Sequence, residues 1–544
     1  MKATAVQVSS LVKTRPEEIC TSREITSKKL MKGEVFSYQI TLWTDRKADF
    51  EVTFESPIKE FIKLYTVKNS YVDFPTYDWG CDDYITKTPC LIPDMLVPLE
   101  DEHYKLRLVR ESASLWVYVR IPEDAAAGDY DVKLSFDGWS EDGSTAKLTK
   151  TMTLHISDEA VPENPLKVTQ WFHVDCIADV HRVPIYSEEH WNLIDKYMSL
   201  AVELGINMIL TPVITPPLDT KVGTRRPCTQ LVGIEKNGES YSFDFTLLKR
   251  WVDLCRKNGI KYYEVSHLFS QWGIKYSANV KVKTDGEEKY LFGWHTDAQD
   301  PEYRRFLEAF LPSLVDFFEK EGIKENCYFH VSDEPSANSL EAYEYAANLI
   351  KPLIGGCQTL DAISDYDFYE KGLIPTPVVS VAHLEKFIEN EVDNKWCYYC
   401  CGEAVDVSNR FMAMPSYRTR IIGLQMYKYG IKGFLQWGYN FYYTQLSVKL
   451  IDPHVTTSAD KAFPSGDAFS VYPYGNGVTP SLRALVFREA LNDFSVCMAL
   501  EGKIGREAVL RLIDSEAGME VTFKQYPRCE EYIPRLIEKM QSML

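Results

Sequence analysis

The chain has 544 residues, 45% of them hydrophobic and 25% charged, an ordinary globular composition with room for two to four domains. Its formal net charge of −18 argues against a nucleic-acid backbone or an anionic membrane as partner. Aromatic residues are abundant, with 33 Tyr and 11 Trp, which suits either a large core or a site that stacks flat ligands such as sugars.

The first residues, Met1-Lys-Ala-Thr-Ala-Val-Gln-Val, lack the apolar run of an export signal, and no later stretch is long and apolar enough to span a bilayer, so a cytoplasmic location is expected. The 13 cysteines are scattered from Cys20 to Cys529 without framework spacing, which fits reduced thiols. Residues 1–160 read as a β-sandwich domain. Val35–Trp43, Phe50–Phe54, Leu115–Ile121, Tyr130–Phe136 and Met152–Ile156 alternate apolar and polar with period two and have no helix between them. Tyr71–Pro98, rich in Pro, Asp, Tyr and Trp, is expected to be a long loop packed on the next domain, and Asp158–Pro165 a linker.

From about Lys167 the pattern changes to strands alternating with helices. The strands are expected at Val168–Val174, Met208–Val213, Lys261–Leu268, Cys327–Ser332, Cys357–Leu360, Val378–Ala382, Trp396–Cys401 and Gly433–Trp437. Glu188–Leu204, Thr246–Lys257, Pro301–Glu321, Ser339–Ile354 and Tyr417–Tyr429 are expected helices between them. Eight such units over residues 166–500 predict a (β/α)8 TIM-type barrel. Val222–Phe243 holds an extra hairpin turning at Asn237-Gly238, and residues 501–544 read as a C-terminal helical cap.

Active sites on such barrels lie at the C-terminal ends of the strands. That rule selects His173 and Asp175 after strand 1, Glu264 and His267 on strand 3, Asp333-Glu334 after strand 4, His383 after strand 6, Tyr398, Tyr399 and Glu403 at strand 7, and Trp437-Gly-Tyr439-Asn440 after strand 8. Each histidine has a second reading as a hydrogen-bonded barrel residue, and Glu264 as a buried, paired acid. Asp333-Glu334 stands apart: two adjacent carboxylates repel each other and lose hydration, and capping the next helix would use only one of them. There is no HExxH, no phosphate-binding glycine loop and no GxSxG. Cys397-Tyr-Tyr-Cys400 lacks a second pair to complete a zinc site. No metal and no cofactor are expected.

Ser332-Asp333-Glu334-Pro335, Gly433-Phe-Leu-Gln-Trp-Gly-Tyr-Asn440 and Asp467-Ala-Phe-Ser-Val-Tyr-Pro-Tyr-Gly475, behind a β-sandwich, resemble glycoside hydrolase family 123 and the wider group that shares its catalytic domain. The resemblance implies an exo-acting, retaining β-N-acetylgalactosaminidase that uses the substrate's own acetamido oxygen as nucleophile, with an oligosaccharide or glycoconjugate as substrate. Glu334 would be the acid/base, and Asp333 would hold the 2-acetamido N–H. Such substrate-assisted hydrolases depart from the usual two-carboxylate geometry. Neighbours on a regular strand point to opposite sides, so both acids reach one ligand only if the backbone bends there, which Pro335 favours. A charged Asp333 would then raise the pKa of Glu334. Trp437 would wall the sugar. Tyr439, Asn440, His383 and Tyr398 are candidates for its hydroxyls, with Glu403, His173 and His267 as further substrate contacts. Two alternatives stand beside this reading: a covalent glycosyl-enzyme on Glu403, and a non-catalytic carbohydrate-binding barrel.

Overall fold

The computed structural model describes residues 1–80, 82–100 and 103–544. The N-terminal part is two five-stranded sheets. One runs Ala3–Ser9, Val35–Thr44, Ser112–Arg120, Ile62–Val72, Cys90–Pro98, and the other Ser27–Lys32, Thr145–Ala160, Gly128–Trp139, Lys47–Glu55, His103–Val109. Period-two patterning fixes which face meets which. Leu115, Val117 and Val119 join Tyr38, Ile40 and Leu42 in the core between the sheets, while Trp116 and Tyr118, of opposite parity, are buried in the core shared with the barrel.

Five of these strands fall on the expected alternating runs. The expected loop Tyr71–Pro98 is a loop only in part, because Cys90–Pro98 forms an edge strand against Ile62–Val72. Pro93 disguises it. The missing N–H is tolerated because Pro93 lies on an edge strand, beside the register shift at Lys68/Asn69. The rest of the segment packs on the following domain: Ile85 N–H donates to Ala413 O at 2.8 Å and Tyr84 Oη to Ala404 O at 2.9 Å.

Eight parallel strands then close a barrel in sequence order: Lys167–Gln170, Met208–Thr211, Tyr262–Val265, Cys327–Phe329, Gln358–Ile363, Thr376–Ser380, Trp396–Tyr398 and Gly433–Gln436. The first pairs with the last through Val168 and Phe434. Met208, Leu210, Leu360, Ala362, Val378, Trp396 and Leu435 fill the interior, while Ile209, Ile363, Val379, Cys397 and Phe434 belong to the core shared with the helices. Several strands are shorter at the C-terminal end than the sequence suggests. Strand 1, for example, gives way to the helix Val174–His181, because side-chain hydrogen bonds replace the ladder beyond the barrel rim. The hairpin at Asn237-Gly238 is present, and a second hairpin, Val280–Thr284 with Glu287–Phe292, joins it in a four-stranded sheet. Asp285-Gly286, with φ of 54° and 80°, is its turn, a signal the sequence carried.

The helix Leu482–Ile504 spans residue 500 and lies against the sandwich, where Glu489 accepts Ser37 N–H at 2.9 Å. Arg483 on the same helix forms a fully buried bidentate pair with Asp94 of the edge strand at 2.6 and 3.0 Å. Among the described residues no helix is long and apolar enough to cross a membrane.

Candidate active site

Strand 4 is regular only to Phe329. The next residues, His330-Val-Ser, are kept extended by contacts outside the ladder. Asp361 Oδ2 accepts Val331 N–H at 3.1 Å and Ser332 N–H at 3.4 Å, and Ser332 Oγ donates to Ser270 O at 3.0 Å. Asp333 O accepts Trp272 N–H at 3.2 Å. Glu334 then takes a left-handed backbone, φ 42°, which is the bend that lets two neighbouring acids face one space. Neither acid caps the following helical turn, since Ser336 and Ser339 form that capping box themselves.

Both carboxyls line a cavity of about 180 Å³. Trp171, Ala362 and Leu435 contribute its apolar base, and Trp272, Trp437 and Phe463 its aromatic walls. Tyr398, reaching across from strand 7, donates its hydroxyl to Glu334 Oε1 at 2.8 Å. Burial raises the pKa of both acids; repulsion from Glu334 adds to the effect on Asp333, while on Glu334 hydrogen bonds from Tyr398 and Trp272 moderate it and the charge of Glu403 adds to it. The upward direction for Glu334 agrees with the sequence, but burial rather than a charged Asp333 is the main cause. Asp333 is raised as well, so the pair holds a proton more tightly than two free carboxyls would.

Trp437 is fixed by its indole N–H, which donates to Asp467 Oδ2 at 3.0 Å; burial pushes Asp467 up to about 7. His173 also lines the cavity, with both nitrogens occupied. Nδ1 accepts from Arg226 at 3.1 Å, so Nε2 carries the proton and donates to Trp437 O at 2.9 Å. Burial and Arg226 lower its pKa to about 3 and keep it neutral. Arg226 is itself paired with buried Asp175 through two 2.7 Å bonds.

Thus Asp333, Glu334, Tyr398, Trp437 and His173 converge. The structure does not bring Tyr439, Asn440, His267 and Glu403 to this cavity. Tyr439 points into the helical layer, stacked on Phe172 and bonded to Tyr197 O. Asn440 pins the backbone of His173 through its N–H and C=O at 2.8 and 3.0 Å. His267 lies beneath, stacked on His330 with centroids 4.0 Å apart. Glu403 accepts Ser380 Oγ at 2.5 Å and Cys400 N–H at 2.7 Å. His383 lines a neighbouring cavity of about 670 Å³, which shares Glu334 as wall. Trp171, Asp219, Gln271, Trp272 and Phe463 complete the site unforeseen; they lie past strand ends or in loops with no period to read. Among the described residues, His267, His330 and Asp361 bring possible metal-ligating atoms within 4.8 Å of one another, but both nitrogens of His330 already bond to carboxylates.

A carboxyl raised in the folded state binds its proton more tightly than in the unfolded chain, so it costs stability as pH rises from the unfolded value, 3.8 for Asp333 and 4.5 for Glu334. Asp333→Asn has no such proton to lose. It is expected to be more stable than the parent at pH 7.5 by about 1 kcal/mol, with the gain vanishing toward pH 4. Urea melts at both pH values check this; an equal gain at both would point to packing instead.

A family model described as glycoside hydrolase 123, catalytic domain, matches residues 171–500. No curated protein matches. Among solved structures, a family 123 glycoside hydrolase from Clostridium perfringens, studied for glycolipid glycan hydrolysis, is similar at 15% identity and a TM-score of 0.73. The match covers 100% of this chain and 97% of that one, and the likeness is one of fold. The major pilin subunit BcpA of Bacillus cereus matches at 6% identity and a TM-score of 0.18, over 32% of this chain and 44% of that one, which bears on nothing further.

Proposed function

The chain belongs to glycoside hydrolase family 123, and from that premise we propose that it removes a terminal β-linked N-acetylhexosamine, β-GalNAc in first place, with retention and by substrate-assisted catalysis. The observation that carries this reading is the shared outlook of Asp333 and Glu334 onto one cavity, while Glu403, the alternative nucleophile, is held outside it by Ser380 and the Cys400 amide. A nucleophile must reach the anomeric carbon, and Glu403, with both oxygens engaged in these bonds, is not among the residues that line the cavity.

The steps follow from the two acids. The acetamido N–H of the bound sugar donates to Asp333, which favours its ionised form and leaves the pair's proton on Glu334. The acetamido oxygen attacks C1 as the glycosidic oxygen departs, and Glu334 gives that oxygen its proton. An oxazolinium-like ring results, and Asp333 offsets its charge. Glu334, now a carboxylate, takes a proton from water as the water attacks C1 and reopens the ring. Two inversions give net retention. Tyr398 donates to Glu334 Oε1 and Trp272 is a second side-chain hydrogen-bond partner of the same carboxyl, so the acid is held in one orientation. Trp171, Trp437 and Phe463 exclude bulk water, which strengthens each charge interaction inside. A cavity of about 180 Å³ is smaller than the ~300–1,000 Å³ of drug-sized sites and suits one terminal sugar. The relative from Clostridium perfringens concerns glycolipid glycans. For this chain, the neighbouring cavity lined by Ser336, Asp365, His383 and Lys386 suits a polar glycan as leaving group.

The test is the substrate's own nucleophile. A thiazoline analogue of the N-acetyl sugar is expected to inhibit competitively, at least about 100-fold more tightly than substrate binds. Stepwise fluorination of the acetyl methyl should lower kcat/KM at each step, because the carbonyl oxygen becomes a poorer nucleophile. A flat fluorination series with a thiazoline that does not bind would transfer the role to an enzyme carboxylate.

A further inference from the structure

One polar corner of the cavity is left unused by these steps. It is built by the loops after the second and third barrel strands. Asp219 has a left-handed backbone, φ 39°, and its N–H donates to Gln271 Oε1 at 2.6 Å. Asp219 Oδ2 accepts Leu446 N–H at 3.0 Å, and Ser447 Oγ donates to Asp219 O at 2.6 Å, so the loop after strand 8 locks the residue in place. These bonds use one end of each side chain. What remains is Asp219 Oδ1, an acceptor with no protein partner among the described residues, and Gln271 Nε2, a buried donor with none.

Both residues line the cavity. Leaving a buried polar group unpaired costs about 1–3 kcal/mol, and a non-glycine residue in the left-handed region adds a cost of about the same order. A fold keeps such a pair where a ligand completes it. The geometry points to Asp219 and Gln271 as the pair that reads one ring hydroxyl of the bound sugar, that hydroxyl donating to Asp219 Oδ1 and accepting from Gln271 Nε2. A hydroxyl both donates and accepts, whereas a carboxylate only accepts and an amide NH₂ only donates. The two together therefore fix where the hydroxyl sits, and an epimer at that carbon leaves both protein groups unpaired. His173 cannot serve in this way, since both of its nitrogens are occupied. The inference rests on the proposed function in taking the ligand to be an N-acetylhexosamine.

The experiment measures kcat/KM for a p-nitrophenyl β-N-acetylhexosaminide and its 3-, 4- and 6-deoxy analogues with the parent enzyme, Asp219→Asn and Gln271→Glu. Both substitutions keep the side-chain oxygen used in the internal bond and reverse the group left for the ligand. For the parent enzyme, one deoxy position is expected to cost about 10- to 100-fold, the worth of a charged hydrogen bond. Each variant should lose a similar factor on the full substrate and lose no more on that one analogue. Equal deoxy penalties in parent and variants at every position would overturn the pair while leaving the glycosidase reading intact. Abolished turnover in Asp219→Asn that azide restores as a glycosyl azide would make Asp219 a nucleophile and overturn it too. If the parent hydrolyses no N-acetylhexosaminide, the substrate reading fails, and the hydroxyl assignment falls with it.

Discussion

Glu334→Gln is expected to lower kcat/KM on an unactivated β-N-acetylhexosaminide by about 100- to 10,000-fold, the usual worth of a positioned proton donor. The loss should shrink on substrates whose leaving group needs no proton, p-nitrophenolate among them, because the acid contributes in proportion to leaving-group basicity. Asp333→Asn behaves differently. On the proposed mechanism Asp333 holds the acetamido N–H and offsets the charge of the cyclic intermediate, so its loss should be as large on activated as on unactivated substrates. The two variants are therefore separable by leaving-group dependence. Equal dependence in both would contradict the division of labour between the two acids. Neither loss would reflect a damaged fold, since both groups are held above their ordinary pKa values by burial and the neutral isosteres relieve that cost.

The second large effect lies beneath the site. His330 is fully buried between Glu264 Oε1 at 2.6 Å and Asp361 Oδ1 at 2.9 Å. Glu264 also accepts Thr169 Oγ1 at 2.6 Å and the indole N–H of Trp171 at 2.7 Å, and Asp361 accepts Tyr343 Oη at 2.5 Å. One network thus positions the base of the cavity and the strand extension that carries the acids. The two carboxylates push His330 up to about 10 despite burial, so it is an imidazolium. Burial draws Asp361 upward at the same time; the donors converging on it favour its ionised form, and the imidazolium reading rests on them. His330→Gln leaves two carboxylates facing each other without a cation and is expected to cost about 3–5 kcal/mol. The contribution is full below the unfolded value of 6.5 and is lost as pH rises through about 10. Chemical denaturation of parent and variant at pH 6 and pH 10 should show the gap narrowing. A gap constant with pH would mean that His330 acts through packing alone.

Much of this architecture is legible in the residues. The alternation Leu115, Val117, Val119 against Trp116, Tyr118 fixes both faces of a strand from period two, and the barrel follows from strands separated by amphipathic helices. Cys90–Pro98 is missed because Pro93 reads as a breaker, and only the pairing partner reveals that its position spares the missing donor. The strand-end rule brings Asp333, Glu334, Tyr398, Trp437 and His173 to the cavity, since each stands on or just past a strand whose direction is known. It fails for Tyr439 and Asn440, two and three residues beyond Trp437, where the chain has left the strand and parity has no meaning. It finds Glu403 near the cavity but cannot see that Ser380 and the Cys400 amide hold its carboxylate.

By itself, then, the sequence determined the order of elements, the barrel, and two acids placed at the end of its fourth strand before a proline. These are properties of local periodicity and turn chemistry, carried by residues within a few positions of one another. The tertiary structure decided which side chains share the cavity. That choice depends on single left-handed residues, Glu334 at 42°, Trp272 at 55° and Asp219 at 39°, and on partners brought together from distant segments, as Glu264, His330 and Asp361 are. A few backbone angles and a closed barrel turn distant segments into one site, and no local pattern records them.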